Sequence, residues 1–383
     1  MKILHIVHSL TRGGLENGLI NLVNLLPESE FEHAICCLDT SGEMAERLER
    51  PIEIFEMHRK SHQWKLPLRL AKVIRHWQPD IVHCRNWNSW FDTALAHFIS
   101  RTPASLVWSF HGFAEGDYFP FRRKLISKLL SIYTRELFAV CEDSALRYAR
   151  KAKIPSKRFK VIYNGVNTQN FQPHEQNREK LRERLNIPLD RVVVVTVASL
   201  TPIKNHAALI DSIQILVNNQ NQSLPLVLFL GDGGLRDSLE QKINNLELND
   251  YIKLLGNSDD IPDYLAAADI FTLPSRLEGM SNAILEAMAC GIPAVANNVG
   301  GNREIIVSGE TGILCENGNP ADMADALGLL ISNKELRKRM GFAARQRIEQ
   351  TFSIYAMTAA YREYYHQIYS KNNQIQKRKI IKS

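Results

Sequence analysis

The chain has no apolar run near the roughly 18 residues that a membrane-spanning helix needs. It has no Gly-x-Gly-x-x-Gly to cradle a dinucleotide, no Asp-x-Asp and no Cys-x-x-Cys. Its cysteines, at 36, 37, 84, 141, 290 and 315, follow no regular spacing, which argues against a disulfide scaffold and for reduced thiols in a cytoplasmic chain. The opening Met-Lys-Ile-Leu-His-Ile-Val-His is too short in apolar residues for a secretory leader and reads as a first strand. Aromatics make up only 8%, but the hydrophobic fraction of 45% and the charged fraction of 23% are those of a globular protein, which excludes a disordered or fibrous chain.

What is there is an alternation. Lys2–Val7, His33–Leu38, Ile81–His83 and Leu106–Phe110 are strand patterns, with helical patterns such as Leu15–Leu26 and Leu66–His76 between them. After a polar, Pro-containing stretch from Asn164 to about Asn177 the rhythm restarts. Val192–Val197, Leu226–Leu230, Ile252–Leu255, Ile270–Leu273 and Pro293–Ala296 are apolar runs of the kind that mark strands buried on both faces. Helices are expected over 206–218, 235–248, 262–268 and 282–290. A β-α-β-α order implies parallel sheets covered by helices. The expected fold is α/β: two Rossmann-like doubly wound domains, 1–170 and 171–352. A C-terminal helix over 353–383, apolar at helical spacing from Ile354 to Ile368, returns to the first domain. Open α/β sheets bind ligands outside the carboxyl ends of their strands, so the chemistry belongs in the strand-to-helix turns and in a crevice between the domains.

The richest turn follows Leu273: Pro-Ser-Arg-Leu-Glu278-Gly279-Met280-Ser281-Asn282-Ala-Ile-Leu-Glu286. Ser281 is a good N-cap, and the free amides and partial positive charge of the helix start suit a phosphate. Glu278 and Glu286 can accept hydrogen bonds from sugar hydroxyls or can be ordinary solvated glutamates. Ser199 and Lys204 follow the strand at 192–197, placing a lysine just before a helix. Gly13, Gly14 and Glu16 follow the first strand, and His111 follows the strand at 106–110. Gly231 opens a Gly-Asp-Gly-Gly turn after the strand at 226–230, and Asn257 and Ser258 follow the strand at 252–255.

These segments, in this order, resemble the retaining glycosyltransferases of the GT-B fold in family 4, the glycosyl transferases group 1. The Glu-x7-Glu frame of Glu278 and Glu286, the Glu-Ala-Met-Ala-x-Gly-x-Pro that follows, Asn164-Gly-Val, Asn298-Val-Gly-Gly-Asn-Arg-Glu and Gly309-Glu-Thr-Gly carry the likeness. The resemblance implies a UDP-sugar donor, UDP-glucose first, and a saccharide or lipid-linked saccharide acceptor in exopolysaccharide or cell-envelope glycan synthesis. It gives Glu278 to the donor sugar, Glu286 to the ribose, and Gly279, Met280, Ser281 and Asn282 to the sugar and diphosphate. Lys204, Ser199, Gly13 and Gly14 go to the diphosphate, and Gly231, Asn257 and Ser258 to the nucleotide. His111 lies near the reacting sugar, with Glu16 and His83 on the acceptor side; His111, Lys204 and Glu278 are the catalytic set. Ser199 departs from the pattern, for the family has arginine there, so one cation is missing and Arg303 is a candidate substitute. No metal and no cofactor is expected, because Asp-x-Asp, the metal pair of many GT-A enzymes, is absent.

Charge is uneven. Residues 121–160 hold twelve Lys/Arg and three Asp/Glu, while 371–383 add five basic residues and no acid. Phe121–Tyr133 reads as a basic amphipathic helix, either packed into the core with a solvated face or lying on an anionic membrane at the inner face of the cytoplasmic membrane. The competing readings are a nucleic-acid or membrane-surface binding protein built on this patch, which leaves the two-glutamate frame unexplained, and a GT-B sugar-nucleotide epimerase, which needs no acceptor. No nucleic-acid partner is expected.

Overall fold

A computed structural model describes residues 1–11, 13–59, 64–112, 119–219 and 224–382, with the side chains of 375–382 outside the description. Arg12 and the last basic side chains of the tail therefore lie outside the described residues. The chain divides into two compact units, 1–164 with 355–383, and 165–354.

In the first unit the elements are β1 (Lys2–Val7), α1 (Gly14–Leu25), β2 (Glu32–Cys37), β3 (Glu53–Glu56), α2 (Leu66–Trp77), β4 (Ile81–Arg85), α3 (Trp87–Ser100), β5 (Ser105–Phe110), α4 (Phe121–Tyr133), β6 (Glu136–Ala139), α5 (Glu142–Ala152) and β7 (Phe159–Val161). In the second they are α6 (Glu175–Arg184), β8 (Val193–Val197), α7 (His206–Asn218), β9 (Leu226–Leu230), α8 (Arg236–Asn245), β10 (Ile252–Gly256), α9 (Ile261–Ala267), β11 (Ile270–Leu273), α10 (Asn282–Ala289), β12 (Ala294–Asn297), α11 (Asn302–Ile305), β13 (Gly312–Cys315), α12 (Pro320–Ser332) and α13 (Lys334–Thr351), before α14 (Ile354–Lys382).

The strand orders are β3-β2-β1-β4-β5-β6-β7 and β10-β9-β8-β11-β12-β13, parallel throughout. Both sheets are doubly wound, as expected. Chain order reverses between β1 and β4 in one and between β8 and β11 in the other, so each sheet has a topological switch point where ligands seat. The unit boundary falls earlier than the expected 170/171. Val166 forms a bridge with Ser353, and backbone bonds link Val166 to Phe352 and to Ile354, which draws 165–170 into the second unit. The same pairing moves the second boundary from 352/353 to 354/355.

Helix α14 completes the first unit by covering a polar core. Arg85 donates from Nη1 to His5 Nδ1 at 3.1 Å. Since a guanidinium only donates, the His5 proton sits on Nε2 and points at His33 Nδ1, 3.0 Å away. All these side chains are buried. His83, in the middle of β4, is fully buried as well, its Nδ1 2.7 Å from the Tyr365 hydroxyl of α14 and its ring against Phe138 and Tyr361. This overturns the acceptor-side expectation for His83. Two residues short of the strand's carboxyl end, it points into the face that α14 covers, and burial keeps its imidazole neutral.

Helix α4 meets the core through Leu130, but most of its apolar stripe faces outward. Phe121, Leu125, Leu129 and Ile132 are exposed, while Ser127 and Ser131 turn inward, Ser127 bonding the Tyr148 hydroxyl at 2.9 Å.

Candidate active site

The second unit brings Ser199, Lys204 and the turn from Glu278 to Asn282 to its switch point, while Gly13 and Gly14 lie in the first unit. After β8 the chain runs through Ser199 and Lys204 to Asn205, whose left-handed backbone (φ +55°) turns it into α7. After β11 it runs through Glu278 to Ser281, whose hydroxyl accepts from the Ile284 amide and starts α10. The two turns are joined twice: Arg276 N donates to Ile203 O at 2.8 Å, and Lys204 Nζ meets Glu278 Oε1 at 2.6 Å. The lysine expected on a diphosphate and the glutamate expected on a sugar thus pair with each other. Glu278 is the anion beside Lys204, and both side chains are mostly buried, which reduces screening.

Neighbouring loops hold the glutamate turn from behind. Gly301 N donates to Gly279 O at 2.7 Å. Gly300 has φ +52°, and a Cβ there would lie 2.1 Å from Glu278 O, so only glycine permits this approach. Asn297, buried at the end of β12, donates to Pro274 O at 2.7 Å and lies 3.1 Å from Ser275 O. At the far end of α10, Arg345 donates to Ala289 O, placing a cation at the helix C-terminus and leaving the N-terminal amides beside Met280 and Ser281 as the positive end. Gly231 fits against Ala198 in the same manner: its Cβ would sit 2.1 Å from Ala198 O, and its amide donates to Gly256 O at 2.8 Å. That contact carries the turn holding Asn257 and Ser258 toward the exit of β8; Asn257 is exposed, and Ser258 Oγ accepts from Asp260 N.

Glu286 sits on the first turn and a half of α10, half-buried, and burial pushes its carboxyl up to about 7. Ser199 is exposed. Arg303, on α11, donates to Asn298 O at 3.3 Å.

In the first unit, Gly13 adopts an extended conformation before α1, and a Cβ on it would lie 2.2 Å from Glu16 Oε2. The bare backbone thus lets the Glu16 carboxylate fold back, and burial raises its pKa. Gly14 is the first residue of α1 and is exposed. His111 follows β5; its amide donates to Asn86 Oδ1 at 3.0 Å and its Nε2 lies 3.0 Å from Ser109 Oγ. Burial, then Arg85, lowers its pKa to about 3, so its imidazole is neutral near pH 7.

Arg85, Asn86 and Asn297 escaped the sequence analysis. Arg85 acts electrostatically on both Glu16 and His111. A buried arginine closing β4, and asparagines following or closing strands where β propensity disfavours them, are the signals that mark them.

Two doubly wound parallel units, the second with a lysine, a glutamate and a helix N-terminus at its switch point, define a glycosyltransferase of the GT-B class. The Glycosyltransferase Family 4 model matches residues 12–170, and the Glycosyl transferases group 1 model matches 177–347. The chain belongs to glycosyltransferase family 4. It is 26% identical over 366 residues, 92% of this chain and 94% of the relative, to the Escherichia coli UDP-Gal:alpha-D-GlcNAc-diphosphoundecaprenol alpha-1,3-galactosyltransferase. It is 30% identical over 304 residues, 75% of this chain and 79% of the relative, to the putative glycosyltransferase EpsD of Bacillus subtilis. A glycosyltransferase structure from Rickettsia africae superposes with a TM-score of 0.85 at 25% identity, covering 96% of this chain and 98% of that one.

Proposed function

We propose that the chain transfers a hexose from a UDP-sugar to a saccharide acceptor, free or carried on a lipid diphosphate, with retention at the anomeric carbon. The Lys204–Glu278 pair at the β8/β11 switch point carries this reading. Lys204 and the α10 amides supply positive charge where a diphosphate leaving group gains it, which is the term that lowers such barriers most. Glu278, released from Lys204 by the donor, accepts hydrogen bonds from sugar hydroxyls; Glu286 takes the ribose hydroxyls. The Escherichia coli relative's name, with a UDP-galactose donor and a diphosphoundecaprenol-linked acceptor, supports the donor class and the acceptor type. UDP-glucose, the sequence expectation, and its 4-epimer UDP-galactose are the donors to compare. Leaving-group charge is met by Lys204 and backbone amides, so transfer is expected to persist in a chelator.

The test is incubation of the full chain with each UDP-hexose, with and without a GlcNAc-diphosphate-lipid acceptor, in the presence and absence of EDTA. Saturable thermal stabilisation by UDP, slow donor hydrolysis alone and an α-linked product with acceptor are expected. Absence of UDP stabilisation defeats the donor assignment, and an epimerised sugar nucleotide formed without acceptor replaces transfer by epimerisation.

Glu286 gives the pH dependence a sign. Its folded pKa is raised from 4.5 to about 7, so it is ionised and accepting above about pH 7 and protonated below. Affinity for UDP-glucose, whose diphosphate does not titrate in this range, is expected to fall as pH drops from about 8 to 6. Glu286→Gln should flatten that profile; an unchanged slope in the variant assigns the titration elsewhere. Because the folded chain holds this proton more tightly than the unfolded chain, the same group lowers stability as pH rises from 4.5 to about 7.

A further inference from the structure

Two adjacent helices of the first unit pack on the core through Trp90, Ala94 and Leu130 and still carry an apolar stripe on their outer faces. Helix α4 places Phe121, Leu125, Leu129 and Ile132 at i, i+4, i+8 and i+11 on one face, and that face is exposed, Phe121 by 75% and Ile132 by 76%. Its buried face is built on Ser127 and Ser131, held by the Tyr148 hydroxyl and by Arg158, which donates to Ser131 O. Helix α3 also shows an outer apolar stripe, Phe91, Leu95 and Phe98, while Trp90, Thr93, Ala94 and Ala96 turn inward. Tyr133 joins the two stripes: its hydroxyl lies 2.6 Å from His97 Nδ1, and its ring meets Phe98 edge-on. Exposed apolar side chains scattered singly are ordinary, but a contiguous aromatic and aliphatic patch over two helices marks an interaction surface.

The charge beside the patch names the partner. Helix α4 has no acidic residue, and the only one on α3, Asp92, faces Arg59. Arg122 and Lys128 are exposed at the margin of the stripe. Lys124 is crowded by Lys153 and Lys128, which depresses its pKa after burial does, and among the described residues no carboxylate pairs with Lys124, Lys128 or Lys153. Concentrated cations with no counter-charge beside exposed leucine and phenylalanine suit a surface that is anionic outside and apolar within. A second copy would bring two basic margins together.

We propose that the α3–α4 face docks on an anionic lipid bilayer, with Phe98, Leu125, Leu129 and Ile132 entering the headgroup–acyl boundary and Arg122, Lys124 and Lys128 meeting lipid phosphates. The docking stands apart from the donor and acceptor assignments.

Co-sedimentation of the full chain with phosphatidylcholine vesicles, alone or with about one third phosphatidylglycerol, tests it. Binding is expected to the anionic vesicles only and to weaken with salt. The double substitution Leu125→Glu with Leu129→Glu should reduce it at least about tenfold, and Arg122→Glu and Lys128→Glu roughly fivefold each. These positions are exposed, so melting temperatures should match the parent chain; Ile132→Glu provides an independent variant of the same stripe. Equal partition to neutral vesicles, no partition to either, or no effect of the substitutions overturns the proposal. So does a solution dimer that Leu125→Glu with Leu129→Glu dissociates, which would give the face to a second copy.

Discussion

Replacing Lys204 by alanine is expected to lower turnover by about 10²–10³-fold, or about 2.7–4 kcal/mol of barrier, the usual effect of losing one preorganised group at a developing anion. The loss should fall on turnover more than on donor affinity, because the diphosphate carries more charge in the transition state than in the bound donor. Lys204→Arg should recover part of it. The ion pair adds a second, opposite expectation. In the unliganded site Lys204 is held by Glu278 at 2.6 Å, so a diphosphate must draw the cation away from a carboxylate that is itself largely buried. Glu278→Gln removes that competition, and UDP alone should bind more tightly to the variant while sugar transfer slows for want of an ionised acceptor at the hexose. Lys204→Ala weakens UDP binding, Glu278→Gln strengthens it, and both depress transfer. Steady-state kinetics beside UDP titration separates the two; unchanged turnover in Lys204→Ala removes the lysine from the mechanism, and weaker UDP binding in Glu278→Gln removes the competition.

Asp269→Ala is expected to cost the second unit about 3–5 kcal/mol, the range for stripping one partner from a buried charge. Asp269 meets Arg178 at 2.8 Å and Arg182 at 2.7 Å, and accepts from Val193 N at 2.8 Å. The Arg182 side chain is fully buried. Its Nε donates to Ala267 O, and its Nη1 lies within bonding distance of Pro188 O, Leu189 O and Arg191 O, tying α6 to the entry of β8 and the α9–β11 junction. Without Asp269 the guanidinium keeps its carbonyls but loses its counter-charge and cannot escape to water. Asp269→Asn, which retains size and one acceptor, should cost less. Urea unfolding of the full chain is the measurement, with the transition of the second unit shifted and that of the first left in place; coincident shifts of both, or none, contradict the assignment.

Particular residues show what the chain's pattern discloses. The runs at 192–197, 226–230 and 270–273 are apolar because β8, β9 and β11 are covered on both faces, so they stand out without any tertiary knowledge. The turn from Glu278 to Asn282 is legible because an N-cap serine and a glycine closing the helix leave a local chemical signature. Four-residue β3, Glu-Ile-Phe-Glu at a sheet edge, has too little contrast to register. His83 and α4 share one lesson: periodicity reveals that a face exists, not what lies against it. His83 meets a helix some 280 positions away in sequence, and of the leucines of α4 only Leu130 turns to the core, while Leu125 and Leu129 are exposed. Asn86 accepts from Trp108 Nε1 and the His111 amide, and Asn297 donates to Pro274 O, contacts that no local window contains.

The distance between β4 and its cover has a consequence for biosynthesis. His83, Phe138 and Phe31 wait for Tyr361, Tyr364 and Tyr365, which are translated after the whole of the second unit. At roughly 5–20 residues per second, the 201 positions from 165 to 365 take on the order of 10–40 s to translate. Until then the amino-terminal half stands with an aromatic wall open, while the strands of the second unit, β8 to β13, are all translated before α14 arrives, so the portion begun first is completed after the one that follows it.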